Sequence, residues 1–201
     1  MRELVFATGN AGKTGELETL LAGHDVTVIA QSKLGCPEVE ETGLTFIENA
    51  LIKARHAARF TGRAALADDS GLAVDALNGA PGIYSARYAG RHASDADNRA
   101  RLLAALTDVP LAARACRFIC VMVYLAHAED PVPVIAQGQW EGAVALVPRG
   151  TQGFGYDPVF WVPTDDCTAA ELSSARKNAL SHRGQALRAL VGALKVATAG
   201  A

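Results

Sequence analysis

Short apolar runs and helical stripes alternate along the first half of the chain. Leu4-Val5-Phe6-Ala7 has the length of a buried strand, and a polar, glycine-bearing turn from Thr8 to Gly12 follows it. From Lys13 to Leu21 the apolar positions Leu17, Leu20 and Leu21 fall on one helical face, and Gly23 stands where that helix should stop. Asp25 to Ala30, rich in Val and Ile, reads as the next strand. Thr45 and Glu48 have the spacing of a capping box and open a helix that runs to about Phe60 and ends at Gly62. Its apolar positions Ile47, Ala50, Leu51, Ala54 and Ala58 recur at helical spacing. Ala64 to Ala67 predicts a small buried strand ending in Asp68-Asp69-Ser70-Gly71. Extended structure resumes from Leu72 to Leu77, with Asn78-Gly79 as a tight turn, and Asp95 to Leu106 predicts a helix.

The pattern then changes. Phe118 to Ala126 is apolar at nine successive positions, so both faces of this strand should be covered and the strand should lie centrally in a sheet. Val132 to Trp140 and Gly142 to Val147 are suited to pair beside it as antiparallel neighbours. A glycine-rich loop from Gly150 to Gly155 precedes an extended stretch, Pro158 to Val162. The last helix runs from about Ser181 to Leu194, with Leu187, Leu190, Val191 and Leu194 on its core face. No repeat or linker interrupts the chain. The reading is an α/β fold with a mixed sheet, one domain over residues 1–201.

Composition narrows the function classes. Half of the residues are hydrophobic and a fifth charged, which is ordinary for a globular protein. With a net charge of −2 and no basic stripe, the chain does not look like one that tracks nucleic acid. The longest apolar run is about half of what a membrane-spanning helix needs. Met1-Arg2-Glu3 and a four-residue apolar run do not make a signal peptide, so the expectation is a soluble cytoplasmic protein with no membrane partner. Cys36 and Cys167 stand alone. Cys116 and Cys120 would lie roughly 13 Å apart along a strand, too far for a disulfide, and all four cysteines read as buried free thiols.

Four segments carry candidate chemistry. In Thr8-Gly9-Asn10-Ala11-Gly12-Lys13, glycines let the backbone approach a ligand, a helix start offers free N–H groups, and a lysine adds charge. Together these suit a phosphate, although an ordinary turn with a surface lysine has the same residues. Gly12-Lys13-Thr14 nearly completes a P-loop, with Ala7 in place of its first glycine, and Ala64 to Asp68 resembles the strand and aspartate of such an enzyme. A phosphotransferase is therefore the rival reading. Asp68-Asp69-Ser70-Gly71 places two adjacent acids that repel each other unless a cation compensates. Glu38, Glu40 and Glu41 add oxygen donors of the kind magnesium takes, or form a solvated acidic loop.

The third segment, Gly153-Phe154-Gly155-Tyr156-Asp157-Pro158, flanks an aromatic ring with glycines, which suits stacking on a flat heterocycle. Asp157 could accept from ring N–H groups. A β-turn with two core aromatics explains the same residues. The fourth is Lys177 with Ser181-His182-Arg183 at the start of the last helix, a set of donors for anions or carbonyl oxygens, or a structural helix start.

Taken in order, these segments resemble the inosine triphosphate pyrophosphatase family, above all its bacterial members. The resemblance is carried by Thr8-Gly9-Asn10 with Lys13 and Glu16, by Glu40 to Gly43 with Glu48-Asn49-Ala50, and by Ala67 to Leu72. Gly79 to Arg87, Gly153 to Pro158 and Ser181 to Gly184 complete it. Six matching segments span essentially the whole chain and set the P-loop reading aside. The resemblance implies hydrolysis of deaminated purine nucleoside triphosphates (ITP, dITP, XTP) to monophosphate and pyrophosphate with Mg2+. It also implies an elongated mixed β-sheet with flanking helices, two lobes with the nucleotide cleft between them, and a homodimer. By motif, Thr8, Gly9, Asn10, Ala11, Gly12 and Lys13 would hold the triphosphate, Glu41 and Asp69 the metal, and Asp69 would also be the catalytic proton acceptor. Ser70, Phe154, Gly155, Tyr156, Asp157, Lys177, His182 and Arg183 would line the substrate. A nucleotide sensor without turnover would have no need of the acidic set.

Overall fold

The computed structural model describes residues 2–21 and 26–199. Among these the strands are hydrogen-bonded in the order β2-β1-β3-β4-β5-β6-β7. They are β1 (Arg2–Phe6), β2 (Val26–Ala30), β3 (Ala65–Val74), β4 (Ala115–Leu125), β5 (Val134–Val144), β6 (Phe160–Val162) and β7 (Cys167–Thr168). The helices are α1 (Ala11–Leu21), α2 (Phe46–Thr61), α3 (Asp95–Ala105), α4 (Ser174–Leu180) and α5 (His182–Ala199). The chain divides into two compact units. Unit 1 comprises residues 1–69, 120–138 and 183–201, and unit 2 comprises residues 70–119 and 139–182. Strands β3, β4 and β5 each contribute residues to both. No described helix is long and apolar enough to cross a membrane.

In unit 1, β1 lies parallel to β2 and to β3, with Phe6 paired to Ala30 on one side and to Leu66 on the other. Alternation sorts the strand residues into two cores. Val5, Ala7, Ala65, Ala67, Val121, Val123 and Leu125 meet Ala50, Ala54, Ala57 and Ala58 of α2. Leu4, Phe6, Leu66, Cys120 and Met122 meet Leu17 and Leu21 of α1 and Ala186, Leu187 and Leu190 of α5. The apolar run of β4 is thus covered on both faces. Thr45 caps α2 as its spacing predicts, accepting from the Glu48 N–H at 3.2 Å. Glu48 reaches back to the Leu44 N–H at 2.8 Å, one residue beyond the usual box partner.

Unit 2 closes on Leu72, Val74, Leu102, Leu106, Phe118, Trp140, Val144 and Phe160. The Phe118 and Phe160 rings lie 4.6 Å apart and the Trp140 and Phe160 rings 4.8 Å apart. β6 runs antiparallel to β5 and to β7.

Several expected boundaries move. Asp68 to Gly71 do not end a strand: β3 is one strand of ten residues that passes straight through the two acids. It continues because both carboxylates are compensated and because Gly71 lacks a Cβ, which would collide with the Gly82 carbonyl and lie 2.6 Å from the Ser85 hydroxyl. Extended structure stops at Val74, and Asp75–Leu77 forms a 3-10 turn closed by Asn78 at φ 52°. The stretches read as Val132–Trp140 and Gly142–Val147 are a single strand, β5. Pro158 lies in a 3-10 turn, Asp157–Val159, and only Phe160–Val162 is strand. α1 starts at Ala11, ahead of Lys13, and α5 runs on to Ala199. The helix stop at Gly23 and the strand start at Asp25 lie outside the described residues. All four cysteines are free; three are buried and Cys167 is half-buried.

Candidate active site

The β1–α1 turn in unit 1 is held by its own side chains. Buried Thr8 accepts the Asn10 N–H through Oγ1 at 3.2 Å, and the Asn10 side chain accepts the Lys13 N–H at 3.1 Å. Asn10 thereby fixes the first turn of α1, and Gly9, Asn10 and Gly12 stay exposed there. Lys13 points back to β3, its Nζ 2.9 Å from Asp68 Oδ2. Asp68 is fully buried, and the Arg183 guanidinium approaches the same oxygen at 3.6 Å while also pairing with Glu16. Burial alone would raise the Asp68 carboxyl; Lys13, Arg183 and Lys53 outweigh it and hold the group well below the usual carboxylate range.

Asp69 faces the other side of β3, toward α2. Its Oδ1 lies 3.3 Å from Lys53 Nζ, and its Oδ2 accepts from Asn49 Nδ2 at 3.3 Å. Lys53 also donates to Glu41 Oε1 at 2.7 Å. Asn49, fully buried, accepts the Gly43 N–H at 2.8 Å, so one amide ties the loop bearing Glu41 to the strand bearing Asp69. Burial pushes the Asp69 carboxyl up; Lys53 and Lys13 pull it down, Glu41 and Asp68 push it up, and the net shift is upward.

Glu41 and Asp69 converge on one ammonium, so their oxygens define a position where a cation is stabilised. Among the described residues no group of three or more His, Cys, Asp or Glu side chains forms a cage. Two carboxylates without a cage fit magnesium, which usually keeps waters and takes one or two protein carboxylates plus substrate phosphates.

Unit 2 holds the aromatic loop. Asp157, buried, accepts through Oδ2 from the Phe154 N–H at 2.8 Å and from Lys177 Nζ at 2.7 Å. The ammonium lies 5.2 Å from the centre of the half-buried Phe154 ring, within cation–π range. Gly153, at φ 77°, lets the chain wrap the Asp157 carboxylate, which a Cβ there would strike. Tyr156 is buried and donates its hydroxyl to the Ser85 carbonyl at 2.8 Å. Ser85 Oγ in turn accepts the Leu72 N–H at 2.9 Å. The His182 ring stacks on Phe118 at 4.7 Å and 11°.

The structure therefore places Thr8 to Lys13, Glu41, Asp69 and Arg183 in unit 1, and Ser70, Phe154 to Asp157, Lys177 and His182 in unit 2. The peptide bonds 69–70 and 182–183 join the two sets. Lys177 and Arg183 do not form one donor cluster at a helix start: Lys177 sits on α4 beside Asp157, whereas Arg183 is tied to Asp68 and Glu16. Sequence reasoning missed Lys53 and gave Asn49, quoted only within a matching segment, no role. The available signal was their spacing of four on α2, beside a face made of alanines.

A family model described as the Ham1 family matches residues 4–193. The chain is 57% identical to the dITP/XTP pyrophosphatase of Vibrio cholerae serotype O1, over 97% of this chain and 98% of that one. It is 58% identical to the dITP/XTP pyrophosphatase of Escherichia coli O157:H7, over 97% and 99%. A solved HAM1 protein from Coxiella burnetii superposes with a TM-score of 0.90 at 50% identity, covering 97% of this chain and 99% of that one. A nucleoside-triphosphatase, or dITP/XTP pyrophosphatase, from Mycobacterium abscessus gives 0.73 at 44%, over 94% and 97%. The resemblance drawn from six sequence segments agrees with these matches in both sequence and fold: the chain belongs to the Ham1 family.

Proposed function

We propose that this protein hydrolyses deaminated purine nucleoside triphosphates (ITP, dITP and XTP) to the monophosphate and pyrophosphate, and so removes them from the nucleotide pool. The observation that carries the reading is the double use of β3: consecutive acids serve a phosphate-type lysine on one face and a cation position on the other. Relatives of 57% and 58% identity named dITP/XTP pyrophosphatase support the base class.

The turn Thr8, Gly9, Asn10, Ala11, Gly12 and Lys13 takes the triphosphate, with the first N–H groups of α1 and the Lys13 ammonium as donors. Asp68 keeps Lys13 aimed before substrate arrives, so little reorganisation is needed as charge moves onto the departing pyrophosphate. Glu41 and Asp69 would hold Mg2+, which when bound would neutralise phosphoryl charge and polarise the attacked phosphorus. Asp69 accepts the proton of the attacking water, while Asn49 and Lys53 fix its two oxygens.

The residues that the resemblance assigns to the purine supply the base recognition. Phe154 offers a stacking face, and Ser70, Gly155, Tyr156 and Asp157 shape the surroundings. Lys177, His182 and Arg183 provide donors for a 6-carbonyl. Adenine, with an amine at that position, would leave such donors unpaired, which can discriminate by about 10⁴ or more.

The protein works as a homodimer in the cytoplasm; four free thiols suit a reducing compartment. The deciding experiment incubates purified protein and Mg2+ separately with ITP, XTP, GTP and ATP and resolves the products. IMP and pyrophosphate, with ATP nearly untouched, is the expected result; IDP and phosphate would overturn the reading.

A further inference from the structure

Two side chains of α3 leave their own helix and close on a single residue of the aromatic loop. Asp95 Oδ2 accepts the Gly155 N–H at 2.7 Å, and Arg99 Nη1 donates to the Gly155 carbonyl at 2.7 Å. Asp95 and Arg99 stand four positions apart on α3, so both leave from one helical face. The cap and the packing of the helix are made by other residues. Its N-terminus is capped by Ser94, in a capping box closed by Asp97. Its packing is made by buried Leu102 and by Asn98, which bonds the Ala89 N–H and the Ala86 carbonyl.

The effect falls on Phe154. The Gly155 N–H belongs to the peptide that follows Phe154, and the Gly155 carbonyl to the next peptide. Both are therefore gripped by charged groups, whose hydrogen bonds are about twice as strong as neutral ones. On the other side, Asp157 holds the Phe154 N–H. The backbone on both sides of the ring is thus fixed, above a lysine that is itself fixed by Asp157.

We infer that Asp95 and Arg99 are positioning residues for base recognition: they clamp Gly155 so that Phe154 and Lys177 present one fixed surface to the purine. The inference rests on the base-binding reading of this loop. Both side chains act through the Gly155 backbone, so releasing the clamp weakens the choice of base and leaves phosphate chemistry largely intact.

The test compares wild type with Asp95→Ala, Asp95→Asn, Arg99→Ala and Arg99→Lys, measuring kcat and KM for ITP and ATP with Mg2+. Backbone amide hydrogen exchange across Phe154 to Asp157 is followed in the ligand-free protein. Both alanine variants should raise KM for ITP about tenfold and lower the ITP-over-ATP ratio of kcat/KM by a similar factor, with kcat within about threefold. Asp95→Asn keeps an acceptor oxygen and should stay within about twofold of wild type, and loop exchange should quicken about tenfold in Asp95→Ala. Unchanged KM and selectivity in both alanine variants would overturn the inference, as would a loss in Asp95→Asn equal to that in Asp95→Ala. If wild type itself spared ITP, the functional reading would fall, and the role in base choice with it. The exchange data would still decide the clamp, since unaltered exchange means no clamp exists.

Discussion

Asp68 and Asp69 are consecutive in sequence yet serve opposite faces of β3, each with its own lysine: Lys13 at 2.9 Å from the first and Lys53 at 3.3 Å from the second. Alternation along a strand separates two like charges that a turn would have crowded together. Their proton affinities move in opposite directions from the same ordinary value of 3.8. One acid is held ionised as a structural counter-charge, and the other is brought closer to accepting a proton.

Asp68→Asn should therefore be chiefly a stability variant. It leaves Lys13 and the buried Arg183 facing a neutral amide, and breaking a buried pair of this kind costs about 3–5 kcal/mol. The sign with pH follows from the depressed carboxyl. Its contribution is present above the unfolded-state pKa and is lost as pH falls toward the lower folded-state value. Urea titrations from pH 7 down to pH 3 should show wild type losing stability faster than Asp68→Asn.

Asp69→Asn should keep the fold and lose turnover by about 10²–10⁴, the usual size of a general-base contribution. Because the Asp69 carboxyl is raised, the acid limb of kcat/KM should lie above 3.8. Lys53→Met removes the ammonium that pulls Asp69 down and should move that limb further toward neutral pH. A pH–rate profile unchanged by Lys53→Met would separate Asp69 from the proton transfer.

Glu41→Gln should weaken the apparent affinity for Mg2+ by about tenfold or more, and saturating Mg2+ should recover most of kcat. Chelation with EDTA should abolish turnover. Both are read from initial rates against free Mg2+.

Tyr156→Phe is expected to be mild. Its hydroxyl donates to the Ser85 carbonyl, so the loss costs about 1–3 kcal/mol of stability through an unsatisfied acceptor. ITP turnover should stay within a few-fold, as checked by thermal melts alongside kinetics. A fall of a hundredfold would give that hydroxyl a direct role toward substrate.

Elements whose cause lies within a few residues were legible in the chain. Thr45 and Glu48 announce α2, and Leu187 and Leu190 mark the core face of α5, because caps and periodicity are local. β3 was misread at Asp68 because a charge in a buried strand is allowed only by partners far away in sequence, and Lys13 and Arg183 are such partners. α4 escaped notice because seven residues carry too few periodic positions, and its cap, Ser173, resembles any polar loop residue. Asn49 and Lys53 lie off the apolar stripe of α2, and their spacing alone names no partner. Only the location of Asp69 shows that this side is turned toward a strand.

The path of the chain through its two units has a consequence for synthesis on the ribosome. Residues 1–69 of unit 1 are made before any residue of unit 2, but the core of unit 1 needs Leu187 and Leu190 from α5. Unit 2, begun later, has all its residues by position 182. The nascent chain therefore carries an unfinished unit 1, with Leu4, Phe6 and Leu17 still lacking their α5 partners, until α5 has been made.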